Sequence, residues 1–236
     1  MNPCFATLAV GVRYQPYLER LRTTLEKFRP GTVLSAWADQ WPPESPTHVD
    51  KNYAFKYYAV RHAQKQGYNP VIWLDASCYV TADPTPLIEE TMKRSALMVA
   101  NSGTYGSGGE MLGEWISDAA LKFYGMDREE AMTIHLCGGA IIGVDSSSEA
   151  GLKFMQAWYE LVQTDLTMCN HSVWRPDRMR SVMCIDPEGQ KIISEDPRVK
   201  GHRSDEACLS IVLRHLGIKT ITLGEFHQCI DTGYNL

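Results

Sequence analysis

Two acidic segments carry most of the chemical content of this 236-residue chain. The first is Tyr68-Asn69-Pro70-Val71-Ile72-Trp73-Leu74-Asp75-Ala76-Ser77, a short apolar run closed by a carboxylate and, two residues on, a hydroxyl. Side chains alternate faces along a strand, so Asp75 and Ser77 are expected to point the same way. A carboxylate at the carboxyl end of a buried strand stands where open α/β sheets take their ligands. The second segment is His202-Arg203-Ser204-Asp205-Glu206-Ala207-Cys208-Leu209-Ser210. Ser204 is a suitable N-cap and acids in a first turn suit the helix dipole, so helix initiation alone accounts for these letters.

Three smaller features sit around these segments. Gly11-Val12-Arg13-Tyr14 follows the first apolar run. At the ligand edge of a parallel sheet Arg13 could meet a phosphate bidentately while Tyr14 stacks on a base, and Arg13 reads equally well as a solvated loop cation. Gly138 and Gly139 precede another apolar strand, where missing side chains permit a tight turn or a close ligand approach. Lys51 and Lys65 read as the wet face of a helix, whereas Lys56 is set among Tyr53, Phe55, Tyr57 and Tyr58. Neither a Gly-x-Gly-x-x-Gly fingerprint nor a Gly-x-x-x-x-Gly-Lys-Ser/Thr loop is present, so a dinucleotide fold has little support. A single histidine such as His135 is expected to be structural.

The elements that must position these residues alternate. Apolar runs at 5–12, 32–37, 71–74, 96–100, 139–144 and 218–223 predict strands. Helices are predicted over 17–28, with Leu18, Leu21, Leu25 and Phe28 on one face, then over 52–66, 87–94, 115–124, 128–132, 149–163 and 205–216. Strands alternating with helices imply an α/β fold with a mostly parallel central sheet covered on both faces. The prolines at 42, 43 and 46 make 38–50 a loop, and the glycines of 101–109 make a mobile one. The chain is expected to form one domain over 1–236, in which 164–204 could fold as a flap over the sheet.

Composition limits the classes. A 44% apolar and 22% charged makeup suits a sizeable core. A net charge of −5 without a basic run disfavours nucleic acid as a partner. Seven widely spaced cysteines with no Cys-x-x-Cys argue for reduced thiols in a core rather than zinc or disulfides. No apolar stretch approaches a membrane span and no leader pattern opens the sequence, so a cytoplasmic location is expected.

The order of basic helix, Gly67, apolar strand and Trp73-Leu74-Asp75-Ala76-Ser77 resembles the GT-A glycosyltransferases, whose strand ends in Asp-x-Asp. The His202-Arg203-x-Asp205 segment resembles that of capsular-polysaccharide-type transferases with a Trp-Leu-Asp-Ala strand motif. The resemblance implies a Rossmann-like GT-A fold and transfer of a sugar from a nucleotide-diphosphate donor to an acceptor hydroxyl, assisted by a divalent metal such as Mn2+ or Mg2+. It implies that Arg13, Tyr14 and Lys56 hold the nucleotide and that Gly138 and Gly139 shape the sugar pocket. It further implies that Asp75, Ser77 and His227 hold the metal and diphosphate, Asp75 being also a donor contact. Serine replaces the second aspartate of the motif, so Ser77 would bind the ion through water or contact the sugar. Asp205, with Glu206 beside it, would be the catalytic base or a sugar-orienting carboxylate. The acceptor is open among a glycan, a protein, a small molecule and a modified nucleobase. Two other classes stand beside this one: a nucleotide- or glycan-binding protein that has lost turnover, and a nucleotidyltransferase.

Overall fold

The computed structural model describes residues 3–101, 110–164 and 194–233. The glycine loop over 102–109, most of the expected flap (165–193), Cys169 and Cys184 lie outside the described residues. In chain order the elements are β1 (Cys4–Leu8), α1 (Gln15–Phe28), β2 (Val33–Trp37), α2 (Phe55–Lys65), β3 (Val71–Leu74), β4 (Tyr79–Val80), α3 (Thr85–Ser95) and β5 (Leu97–Asn101). They continue with α4 (Asp118–Tyr124), α5 (Arg128–Ala131), β6 (Cys137–Val144), α6 (Glu149–Gln163), α7 (Ser204–His215), β7 (Ile221–Thr222), α8 (Leu223–Phe226) and β8 (Ile230–Asp231).

Among the described residues six strands form one sheet in the order β2-β1-β3-β6-β5-β7. All run parallel except β6, which is antiparallel to both β3 and β5. The expectation of a mostly parallel sheet therefore holds, with one reversed strand near its centre. That reversal brings the start of β6, with Gly138 and Gly139, to the edge where β1, β3 and β5 end. A second sheet of two strands, β4 and β8, joins Tyr79 and Val80 to the C-terminal Asp231 and Ile230.

The strands are apolar throughout because both faces are covered. On β3, Val71 and Trp73 pack with Phe55, Tyr57, Phe154, Trp158 and Leu209 of α2, α6 and α7. The alternate residues Ile72 and Leu74 pack with Leu21, Leu25, Ile88 and Met92 of α1 and α3. Leu18, Leu21 and Leu25 of α1 are buried as their spacing predicts, each burial being worth about 1.5–3 kcal/mol. Cys4, Cys78, Cys137, Cys208 and Cys229 are buried as core residues.

Element ends shift for identifiable reasons. Tyr53 has φ of 58°, outside the right-handed helical region, so α2 starts at Phe55 rather than residue 52. Gly67, at φ 88°, ends it as expected of a left-handed terminator. Ser204 is not the cap of α7: Arg203 occupies that position without a side-chain cap bond, and Ser204 is the first helical residue. The chain between β5 and β6 makes an excursion whose base is closed by Leu136 donating to Glu110 and Leu112 donating to Ile134, both at 2.8 Å. Its apolar side, including Leu112, Trp115, Ile116 and Leu121, packs on Ala207 and Ile211 of α7.

Candidate functional site

Four elements deliver one residue each to a single point. The first turn of α2 supplies Lys56, the end of β3 supplies Asp75, the start of β6 supplies Gly139, and the first turn of α7 supplies Asp205. The Lys56 Nζ donates to Asp205 Oδ2 at 2.8 Å and to the Gly139 carbonyl at 2.8 Å. It lies 3.2 Å from Asp75 Oδ1. The two acidic segments thus meet in space although they are far apart in the chain.

Each partner is held from behind. Trp73 points to the same face as Asp75 and its indole N–H donates to Asp75 Oδ1 at 2.8 Å. The Asp75 N–H donates to the Ala140 carbonyl at 2.8 Å, fixing the end of β3 against β6. The α7 helix is pinned to β6 by Cys137 N–H on Ser210 Oγ at 2.8 Å and by Ser210 Oγ on the Glu206 carbonyl at 2.7 Å. Backbone bonds from Arg203 to Trp115 and from Lys200 to Glu114 tie the approach to α7 onto the excursion. A Cβ on Gly139 would meet Asp205 Oδ2 at 2.5 Å and Lys56 Nζ at 3.1 Å, so only glycine leaves room for the ion pair.

The electrostatics follow from burial. Lys56 is 2% exposed. Burial works against its charge, but Asp205 and Asp75 outweigh it and hold the ammonium well above the ordinary lysine range. Tyr53, whose ring lies 4.8 Å from Nζ, has its phenol pushed up to about 12 by burial and by the Asp205 charge. His48 packs edge-on against Tyr53 with ring centres 4.9 Å apart, and burial lowers its proton affinity. Glu206 accepts the Gly139 N–H at 3.3 Å and pairs with Arg203 at 3.2 Å. Burial raises its carboxyl above the usual range, against the pull of Arg203, although 26% of the side chain stays exposed. Arg203 in turn forks onto Glu110 at 2.7 and 3.1 Å and stacks on Trp115 at 4.3 Å.

The remaining expected residues lie differently. Arg13 and Tyr14 are exposed on a short 3-10 turn just beyond β1, the guanidinium 5.1 Å above the Tyr14 ring. A Cβ on Gly138 would meet nothing within 4 Å, so it opens space that Gly139 closes. Ser77 is not related to Asp75 by strand alternation, because Cys78 N–H donates to the Asp75 carbonyl at 2.9 Å and the chain turns there. The Ser77 carbonyl accepts from Arg20 at 2.5 Å. His227 follows α8, between the buried Phe226 and Cys229.

A divalent ion requires several oxygen ligands at about 2.0–2.6 Å. Among the described residues no three His, Cys, Asp or Glu side chains converge to hold one. Asp75 Oδ1 already takes an ammonium and an indole N–H, and Arg20 stands on the Ser77 carbonyl. The described residues do not fit the ion that the motif implies.

No family model matches the sequence, and no curated protein does either. Similar solved structures include a glycosyltransferase involved in the glycosylation of the major capsid of PBCV-1, at 13% identity over 66% of this chain and 66% of that one, TM-score 0.39. Another is the glycosyltransferase GlyE of Streptococcus pneumoniae TIGR4, at 12% identity over 69% and 39%, TM-score 0.40. A third is the galactosyltransferase LgtC in complex with donor and acceptor sugar analogs, at 13% identity over 69% and 65%, TM-score 0.36. The match spans less than two thirds of the length of each. At these scores the likeness says nothing of activity, and what the site can do rests on its own residues.

Sequence reading found Lys56, Asp75, Gly139, Asp205 and Glu206, which converge. It missed Trp73 as the orienter of Asp75, and Tyr53, Arg203 and Glu110 as the frame. Trp73 had a usable signal, since it stands two residues before Asp75 on the same strand face. Glu110 had none, because its pairing with Arg203 spans 93 residues.

Proposed function

We propose that the chain is a glycosyltransferase moving a sugar from a nucleotide-diphosphate donor to an acceptor hydroxyl. The observation that carries this reading is the convergence of Asp75 and Asp205 on Lys56 beside the Gly139 backbone, at the sheet edge where α/β folds take ligands. Buried polar groups in a fixed frame suit a sugar, whose hydroxyls both donate and accept, and position it without reorganisation during reaction.

Within that reading the roles separate by environment. Asp205 is bound to Lys56 and 5% exposed, so it orients the donor sugar. Glu206 keeps access to solvent and has raised proton affinity, which suits a general base. Its carboxylate takes the acceptor proton as the acceptor oxygen bonds the anomeric carbon. The bond from that carbon to the diphosphate breaks, and its electron pair leaves on the phosphate oxygen. Arg13 and Tyr14, exposed beyond β1, are available to the nucleotide.

Binding without turnover is the second reading, favoured by the commitment of Asp75 Oδ1 to Lys56 and Trp73. Incubating the chain with a panel of nucleotide sugars and acceptors, while following nucleoside diphosphate release and donor binding together, separates the two. Release that is lost in Glu206→Gln supports transfer. Binding with no release supports the second reading, and binding of no nucleotide sugar defeats both.

A further inference from the structure

The Lys56 ammonium donates to Asp205 Oδ2 and to the Gly139 carbonyl, each at 2.8 Å, and forms an ion pair with Asp75 Oδ1 at 3.2 Å. It is 2% exposed and flanked by the faces of Tyr53 and Trp73, with ring centres 4.8 and 6.0 Å away. We infer that Asp75 serves this fixed ammonium rather than a divalent ion, and that the chain binds nucleoside diphosphates without metal. The inference rests on the transferase reading above.

Three observations support it. First, an ion bound at Asp75 Oδ1 would sit within a few ångströms of Nζ, and like charges at that separation repel strongly outside bulk water. Displacing Lys56 instead would leave a buried ammonium without its carboxylates, which costs about 3–5 kcal/mol. Second, the turn carrying Ser77 already has its own cation. Arg20 from α1 donates to the Ser77 carbonyl and lies 4.3 Å over the Tyr79 ring. Third, with Lys56 in place the two carboxylates carry one net negative charge instead of two. A diphosphate then meets weaker repulsion at the sheet edge than two bare carboxylates would give, without an ion between them.

Calorimetry of the full chain with UDP, GDP, ADP and CDP, each in EDTA and in manganese chloride, tests this. The nucleotide that binds is expected to show dissociation constants equal within about threefold in the two media. A larger gain with manganese overturns the inference and leaves the transferase reading intact. If none of the four binds in either medium, the transferase reading fails and the inference with it, a result distinct from metal dependence. Mn2+ alone gives a second readout by electron paramagnetic resonance. The free-ion signal is expected to match buffer in the presence of the wild-type chain. Capture of Mn2+ by wild type that disappears in Asp75→Asn overturns the inference, whatever the activity.

Discussion

One cation stands between two carboxylates in two regions of this molecule. Lys56 is held by Asp75 and Asp205, and Arg198 by Asp196 and Glu129 at 2.7 and 2.6 Å. The local distances are alike. The Arg198 cluster is joined across the surface, with 46% of the arginine and 76% of the Glu129 side chain exposed. Water screens those charges, so the cluster contributes little despite its geometry. The Lys56 cluster draws its members from four elements and buries the ammonium and Asp205, so each charge depends on the others. Short ion pairs therefore do not mark a site. Burial and the convergence of distant segments set the Lys56 cluster apart.

The comparison breaks most sharply at Lys56. Lys56→Met leaves two carboxylates facing each other without a countercharge, and is expected to lower unfolding free energy by about 3–5 kcal/mol in urea titration. Stability within about 1 kcal/mol of wild type would place the two clusters in the same class. Gly139→Ala comes next. Its methyl would press on Asp205 and Lys56, so a loss of about 1–3 kcal/mol is expected, with donor binding weakened. Gly138→Ala, which points into open space, should stay within about 0.5 kcal/mol of wild type and serves as the matched control.

A pH series sharpens the contrast further. Glu206 is raised in the folded state, so folding favours its protonated form. Its contribution to stability is full below the ordinary glutamate range and is lost as pH rises through the elevated value. Transfer should run the opposite way, rising with pH as the carboxylate forms, and Glu206→Gln should remove that limb of the rate profile. Asp196 behaves inversely. Hydrogen bonds from Arg198 lower it to about 2, so whatever stability it adds is present above the ordinary aspartate range and fades as pH falls toward that value. The smallest effect belongs to Glu129→Gln, for which thermal melting should show no shift.

How much of this could be read from the letters alone varies with the kind of signal. The strand Val71–Leu74 and the helix Glu149–Gln163 match their predicted bounds, because an apolar run between turn residues and a capped periodic stretch are local properties. Strand direction is not local, and nothing in Gly139–Val144 announces that β6 runs against its neighbours. The two-residue strands β4 and β8 carry no period to detect, since each is defined only by its partner. The predicted strand over 218–223 shrank to Ile221–Thr222, where pairing with β5 is confined to two positions. At the site, residue types identified Asp75 and Asp205. Lys56 stood apart from Lys51 and Lys65 by its aromatic neighbours, but its pairing with both carboxylates was invisible, because the contact with Asp205 bridges a separation of 149 residues.

The separation of 149 residues from Lys56 to Asp205 bears on how the chain acquires its shape during synthesis. When α2 and β3 leave the ribosome, α7 has not yet been made, and the ammonium has only Asp75 to face. Closing so long a loop is slow relative to local structure, so the centre of the cluster forms among the last contacts. Until the C-terminal third arrives, a nascent chain must keep that lysine hydrated, and a fragment ending before α7 would carry an open seam along β6.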